Sequence, residues 1–206
     1  MTRKLLSLAA ASAVAVGLLV TLGAVNAGAA AGGACQLAGT ASFSPGLSNT
    51  AGNFNYSFSG ILTGCQASDP SAPTTGTVSA GKVVTGAAGE QFQEPIPTGN
   101  GTCANGTTSG TSIINWADGT TTVTAYSTMS AGAAVDLTGQ VVPSVTLAAI
   151  NPAPGQPTSE TITTTRFSGF SAFAPLAFQA DPTQCSTAAG VSTAAINGLA
   201  TLSSVP

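Results

Sequence analysis

Asn53-Phe54-Asn55-Tyr56-Ser57-Phe58-Ser59-Gly60-Ile61-Leu62-Thr63-Gly64-Cys65 sets the reading of this chain. Phe54, Tyr56, Phe58, Gly60 and Leu62 fall on one face of an extended segment, and Asn55, Ser57 and Ser59 fall on the other. Successive side chains of a strand point to opposite sides, so this period of two marks a strand with one buried face. Leu37, Gly39, Ala41 and Phe43 repeat the pattern up to the turn Ser44-Pro45-Gly46, and Val135, Leu137, Gly139 and Val141 repeat it before Pro143. Ile113 to Trp116 and Thr121 to Thr124 flank Ala117-Asp118-Gly119-Thr120, where Asp-Gly supplies the positive φ of a tight hairpin.

Further candidate strands run over 77–85, 145–150, 161–167, 170–178 and 194–202, and no segment has the 3.6-residue period of an amphipathic helix. Turn chemistry gathers in Asp69-Pro70-Ser71-Ala72-Pro73, in a stretch from Glu94-Pro95-Ile96-Pro97 to Gly110, and in Asn151-Pro152-Ala153-Pro154-Gly155-Gln156-Pro157. The expectation is an all-β, antiparallel β-sandwich of about 8–10 strands, immunoglobulin-like or jelly-roll-like, with a β-barrel as the alternative.

The first residues read as an export signal. Arg3 and Lys4 precede an apolar run from Leu5 to Val20, and Val25-Asn26-Ala27 has the small residues of a cleavage site, with Ala27-Gly28-Ala29 competing. The expected organisation is a cleaved signal over 1–27 and a single β domain over 28–206. A retained anchor, or acylation at Cys35, are the competing readings of this end; Gly32-Gly33-Ala34 lacks the aliphatic residue of an acylation site.

Composition narrows function. The 206 residues hold no histidine, which excludes imidazole as base, proton shuttle or metal ligand. Charged residues are 5% of the chain, and beyond the leader Lys82 and Arg166 are the only cations against seven acids. Such a surface has no footprint for nucleic acid or anionic lipid. Aromatics, at 5%, are too few for a base-stacking platform.

Cys35, Cys65, Cys103 and Cys185 form an even set in an exported chain, so two disulfides are expected. Cys35 opens one strand and Cys65 closes the next candidate, positions that lie side by side in an antiparallel pair. That favours Cys35–Cys65 and leaves Cys103–Cys185. The wide spacing and the lack of histidine speak against a metal site, and no cofactor is expected.

Candidate catalytic groups each have a simpler reading. Ser79-Ala80-Gly81-Lys82 spells the nucleophile–base pattern of penicillin-recognising enzymes, but in a β-like run without a Lys-Thr-Gly partner. Glu90 and Glu94 are the nearest carboxylate pair for glycosidase chemistry, yet they sit among Gly and Pro as solvated loop acids. Asp118 and Asp181 have turn roles. Lys82 fits an outward lysine on an edge strand, or the donor of an internal isopeptide bond to Asn or Asp.

The small-residue bias, the leader, and the phrases Gly39-Thr40-Ala41-Ser42-Phe43-Ser44-Pro45-Gly46-Leu47 and Asn115-Trp116-Ala117-Asp118-Gly119-Thr120-Thr121 resemble small exported proteins of high-GC actinobacteria. That resemblance implies an all-β fold and an extracellular location, with no activity attached. A second similarity is to the apoproteins that carry enediyne chromophores, which are acidic, exported, two-disulfide sandwiches; their chains are shorter and their cysteines close shorter loops. The functional expectation is a non-catalytic exported protein with a binding or structural role, its partner a cell-surface polymer, another copy or a small apolar ligand. A carrier with an apolar cleft around Phe167, Phe170 and Phe173, and a carboxylate-dependent hydrolase, are the alternatives.

Overall fold

The computed structural model describes residues 32–86 and 88–204. The expected leader over 1–27 and its expected cleavage site lie outside the described residues. The described residues form thirteen strands and one turn of 3-10 helix. In order they are β1 (Gly32–Leu47), β2 (Gly52–Ala67), β3 (Gly76–Ala80), β4 (Val83–Thr85), β5 (Gln91–Gln93), β6 (Thr98–Gly101), β7 (Asn105–Trp116), β8 (Thr121–Ala131), β9 (Ala134–Val142), β10 (Ser144–Ala149), β11 (Ser159–Thr163), β12 (Phe170–Gln179) and β13 (Val191–Ser204).

The fold is an eight-stranded antiparallel barrel, not a sandwich. Around the wall the order is β1, β13, β12, β9, β8, β7, β3, β2, and β1 closes the ring by pairing with both β13 and β2. A sandwich and a barrel share the same alternation, because either buries one face of each strand. What separates them is whether the two edge strands meet, and here Leu37 lies opposite Leu62 on one side and Gly198 on the other.

One wall position is shared by two short strands. β3 pairs with Phe58–Leu62 of β2 and with β7 near Trp116, while β6 pairs with Gly52–Asn55 of β2 and with β7 near Gly106. The stretch from Glu94 to Gly110, expected as loop, therefore contains β6 and the first half of β7. Thr98-Gly99-Asn100-Gly101 has no apolar residue to betray it; its extended form is imposed by the gap it fills between two long strands. The candidate strand 77–85 is likewise two strands, broken at Gly81, whose φ of +68° suits only glycine.

The remaining strands, β11, β10, β5 and β4, form a small sheet outside the barrel. It covers the outward pair Ile113 and Val123 on β7 and β8, with Phe92 and Leu147 packed as its core. Asn151–Pro157 is the loop between β10 and β11 of this sheet.

The predicted hairpin is present: β7 ends at Trp116, β8 begins at Thr121, and Gly119 takes φ +81°. Both disulfides pair as expected, Cys35–Cys65 with Cα atoms 4.1 Å apart and Cys103–Cys185 with Cα atoms 6.1 Å apart. They stand at opposite ends of the barrel, and both fit an oxidising compartment. Among the described residues, no helix is long and apolar enough to cross a membrane.

Two outcomes test this arrangement. Beyond the leader trypsin can cut only after Lys82 and Arg166, so a denatured, non-reduced and thiol-blocked digest should release the piece ending at Lys82, with its Cys35–Cys65 bridge, as a free species. The pieces carrying Cys103 and Cys185 should stay joined; one species holding all three would contradict the pairing. Trp116 is 6% exposed in the core, so Trp116→Ala should cost about 3–5 kcal/mol in denaturant unfolding through the cavity it leaves.

Candidate functional site

The inward residues of the barrel line a cavity of about 180 Å³. Its origin lies in how the large side chains are seated. A Cβ built at Gly39 or Gly60 would meet the Phe58 ring, one at Gly76 the Trp116 ring, and one at Gly99 the Phe54 ring. Each ring packs over a glycine on a neighbouring strand, in space that any side chain there would fill. Phe58, Leu137, Leu176 and Ala200 point inward yet are only partly buried, because the lumen itself gives access to them. Phe58 thus departs from the full burial its place in the alternation suggests.

Most of the wall is apolar. Residues of β1, β9, β12 and β13 contribute Leu37, Ala41, Val135, Leu137, Leu176 and Ile196. Hydroxyls enter from β7, β8 and β2: Tyr56 Oη lies 2.7 Å from Tyr126 Oη and 3.0 Å from Thr108 Oγ1, which lies 2.7 Å from Thr128 Oγ1. Burial raises the pKa of both tyrosines, and for Tyr126 the charges of Tyr56 and Glu94 add to it, so neither phenol ionises at neutral pH. Thr124 Oγ1, buried in the same stripe, has no hydrogen-bond partner. No charged residue lines the cavity among the described residues.

One end of the barrel is closed by Trp116, the Cys35–Cys65 bridge and Phe167, whose ring packs edge-on against Trp116 at 5.5 Å. Phe170 packs on Phe167 at 5.5 Å, and Phe173, half exposed, is among the residues bordering the cavity. Of the three phenylalanines expected around a cleft, Phe167 and Phe173 border the cavity and Phe170 does not. Arg166 ties the same end together. Its guanidinium contacts Asp118 at 3.0 Å and Asp69 at 3.6 Å, joining the β7–β8 turn to the β2–β3 loop.

Asp69 and Asp118 are two carboxylates that converge, so hydrolase chemistry must be weighed here. Both have lowered pKa values. For Asp69 the chief cause is the Ser71 N–H, then the Ser71 hydroxyl; for Asp118 it is the Thr120 hydroxyl, then the Thr120 N–H, with Arg166 a smaller contribution in each. Two acids held ionised offer no proton donor for glycoside or ester cleavage at neutral pH.

Glu94, expected as a solvated loop acid, is 1% exposed. Its carboxylate accepts from Ser79 Oγ at 2.5 Å and from the Lys82 N–H at 2.9 Å, which pins the chain entering β6 against β3. A lone Glu between Gln and Pro carries no sequence signal for that burial. Glu90 instead accepts the Ala88 N–H within its own loop. The Ser79–Lys82 pattern lies on a strand end and turn rather than a helix, with the Ser79 hydroxyl committed to Glu94. Lys82 makes no ion pair among the described residues. Asp181 caps the 3-10 turn by accepting the Thr183 N–H, as its place before Pro182 suggests. Among the described residues, no group of three or more Cys, Asp or Glu could hold a metal ion.

No protein-family model, no curated protein and no solved structure matches the chain.

Acid sensitivity checks the turn acids. Their folded pKa values lie below the unfolded value of about 3.9, so the unfolded chain binds more protons on the acid side. Their contribution is fully present above about pH 4 and is lost as pH falls through the lowered values. Asp118→Asn should flatten the loss of denaturant midpoint between neutral pH and pH 2, and Arg166→Gln should flatten it less.

Proposed function

We propose that this is an exported, non-catalytic binding protein that holds a small, mostly apolar molecule inside the barrel. The observation that carries the reading is the uncharged cavity of about 180 Å³, walled by rings laid over glycines. An eight-stranded barrel is just wide enough either to be filled by side chains or to hold one small ligand, and here the filling is incomplete. A dry apolar cavity of about 150 Å³ is enough to bind benzene. The two disulfides and the resemblance to exported actinobacterial proteins support an extracellular place of work. The absence of histidine, the neutral tyrosines and the ionised turn acids favour holding over turnover.

A second reading, self-association or attachment to a surface polymer, is favoured by one observation. Ile61, Phe173 and Leu199 are 54%, 49% and 41% exposed on β2, β12 and β13, with β1 between β2 and β13. The rest of that wall is mainly Ser, Thr, Asn, Gln and small apolar residues, without the continuous apolar belt of a membrane barrel. A sedimentation series in which the mature protein stays monomeric would remove the self-association reading.

Saturating toluene or naphthalene should raise the thermal midpoint in a concentration-dependent way, since ligand bound only by the folded chain stabilises it. It should also change Trp116 emission. Ala200 faces the lumen with room beside it, so Ala200→Phe should keep the circular-dichroism spectrum and lose the ligand effect. An unchanged midpoint for the natural chain at ligand saturation would refute the carrier.

A further inference from the structure

We infer that the loop between β2 and β3, residues 68–75, is the entrance to the lumen, latched shut by the contact of Asp69 with Arg166; the inference rests on the carrier reading. Three observations carry it. The first is where the loop lies. Ala72 and Pro73 border the cavity, as do Trp116, Phe167 and the Cys35–Cys65 bridge at the same end of the barrel. Both are only half-buried, so this one layer of chain faces the lumen and solvent together.

The second observation is how the loop is held. Its two feet are bonded to the wall: the Ser68 N–H donates to the Gly32 carbonyl, the Cys65 N–H to the Thr74 carbonyl and the Ala117 N–H to the Thr75 carbonyl. Between the feet, the hydrogen bonds of residues 69–73 are internal. The Ala72 N–H donates to the Asp69 carbonyl, and the Ser71 N–H and hydroxyl donate to the Asp69 carboxylate. Pro70 and Pro73 have no N–H to give. Among the described residues, the polar tie from this tip to the rest of the protein is the Asp69–Arg166 ion pair at 3.6 Å. Arg166 is anchored without it by Asp118 at 3.0 Å, while the Asp69 side chain is 54% exposed, so the loop's half of the latch is the loose one. An exposed ion pair adds little stability, which suits a catch that keeps the closed form the commoner one and still opens often.

The third observation is the contrast with the opposite end. There the Cys103–Cys185 bridge ties the β6–β7 loop to the 3-10 turn. Main-chain bonds add to it: the Cys103 N–H donates to the Ser48 carbonyl, the Asn49 N–H to the Cys185 carbonyl and the Gly132 N–H to the Ala104 carbonyl. That end is closed by a covalent bond and by backbone pairing between loops. The Cys35–Cys65 bridge instead joins two paired strands within the wall, and residues 69–73 carry no cross-link. A ligand that exchanges without unfolding the barrel passes the end whose closure is a side-chain contact.

Rapid mixing with toluene, followed by Trp116 emission, measures entry and exit. Asp69→Asn keeps an acceptor for Ser71 and removes the charge; at low salt it should speed both rates by about threefold. Salt at about 1 M should bring the natural chain to the rates of Asp69→Asn and leave that variant unchanged. The converse variant pairs Asp69→Cys with Asp118→Cys, two positions whose carboxylates touch one guanidinium. Bridging the new thiols with a short bismaleimide after loading toluene should slow its release at least tenfold relative to the unbridged protein. Natural rates in Asp69→Asn, or release from the bridged protein as fast as from the unbridged one, would each overturn the entrance and leave the carrier standing. Failure of toluene to bind the natural chain would overturn the carrier reading and this inference with it.

Discussion

Closure of the barrel through β1 is the constraint on which the rest depends. Once β1 pairs with β2 on one side and β13 on the other, eight strands fix the interior width, and every second residue of every strand must share that space. Closure also removes the free edges that an open sheet of this length would expose. An interior of fixed width can be filled by interdigitating side chains or left with a lumen. This chain takes the second course, with Phe54, Phe58 and Trp116 packed over cross-strand glycines.

A barrel with an incompletely filled centre needs its ends secured, because the core clusters gather there. One cluster joins Cys35, Leu37, Leu62 and Trp116, and the other joins Leu47, Phe54, Tyr56, Tyr126 and Val191. Each has a disulfide at its margin. At the first end Arg166 adds ion pairs between two loops that are also joined by the Ala117 N–H to the Thr75 carbonyl, and its guanidinium lies 5.7 Å from the Phe167 ring centre. Phe167 itself takes φ +61°, an uncommon conformation for a bulky residue, which turns its ring against Trp116 across the barrel mouth. Elsewhere the ladder is completed by side chains. The Thr164 hydroxyl accepts the Val123 N–H, which bonds the inner barrel to the segment leading out of β11.

Much of this was legible in the sequence where apolar residues mark the alternation. The inward faces of β1, β2 and β9, the Asp118-Gly119 turn and both disulfides follow from residue types and spacing alone. Three things were not. The meeting of β1 with both β2 and β13 leaves no local trace, so sandwich and barrel stay equivalent in one dimension. β6 and the first half of β7 contain only Gly, Asn, Ser and Thr, and their extended form comes from the strands on either side. Glu94 is buried by a crossing of the chain that its neighbours Gln93 and Pro95 do not announce.

The stretch that hid a strand is also the stretch that gives the lumen its chemistry. Asn105–Ser112 reads as loop because it carries no aliphatic residue, yet placed in the wall it presents Thr108 and Ser112 to the interior. β8 answers with Thr124, Tyr126 and Thr128 from the facing register. A fully aliphatic β7 would have been easier to find and would have packed a drier core. Its polar composition requires every inward hydroxyl to find a partner, and all on β8 do so within the chain except Thr124. The hydroxyl stripe that weakens the strand signal is thus what distinguishes this interior from a generic apolar core.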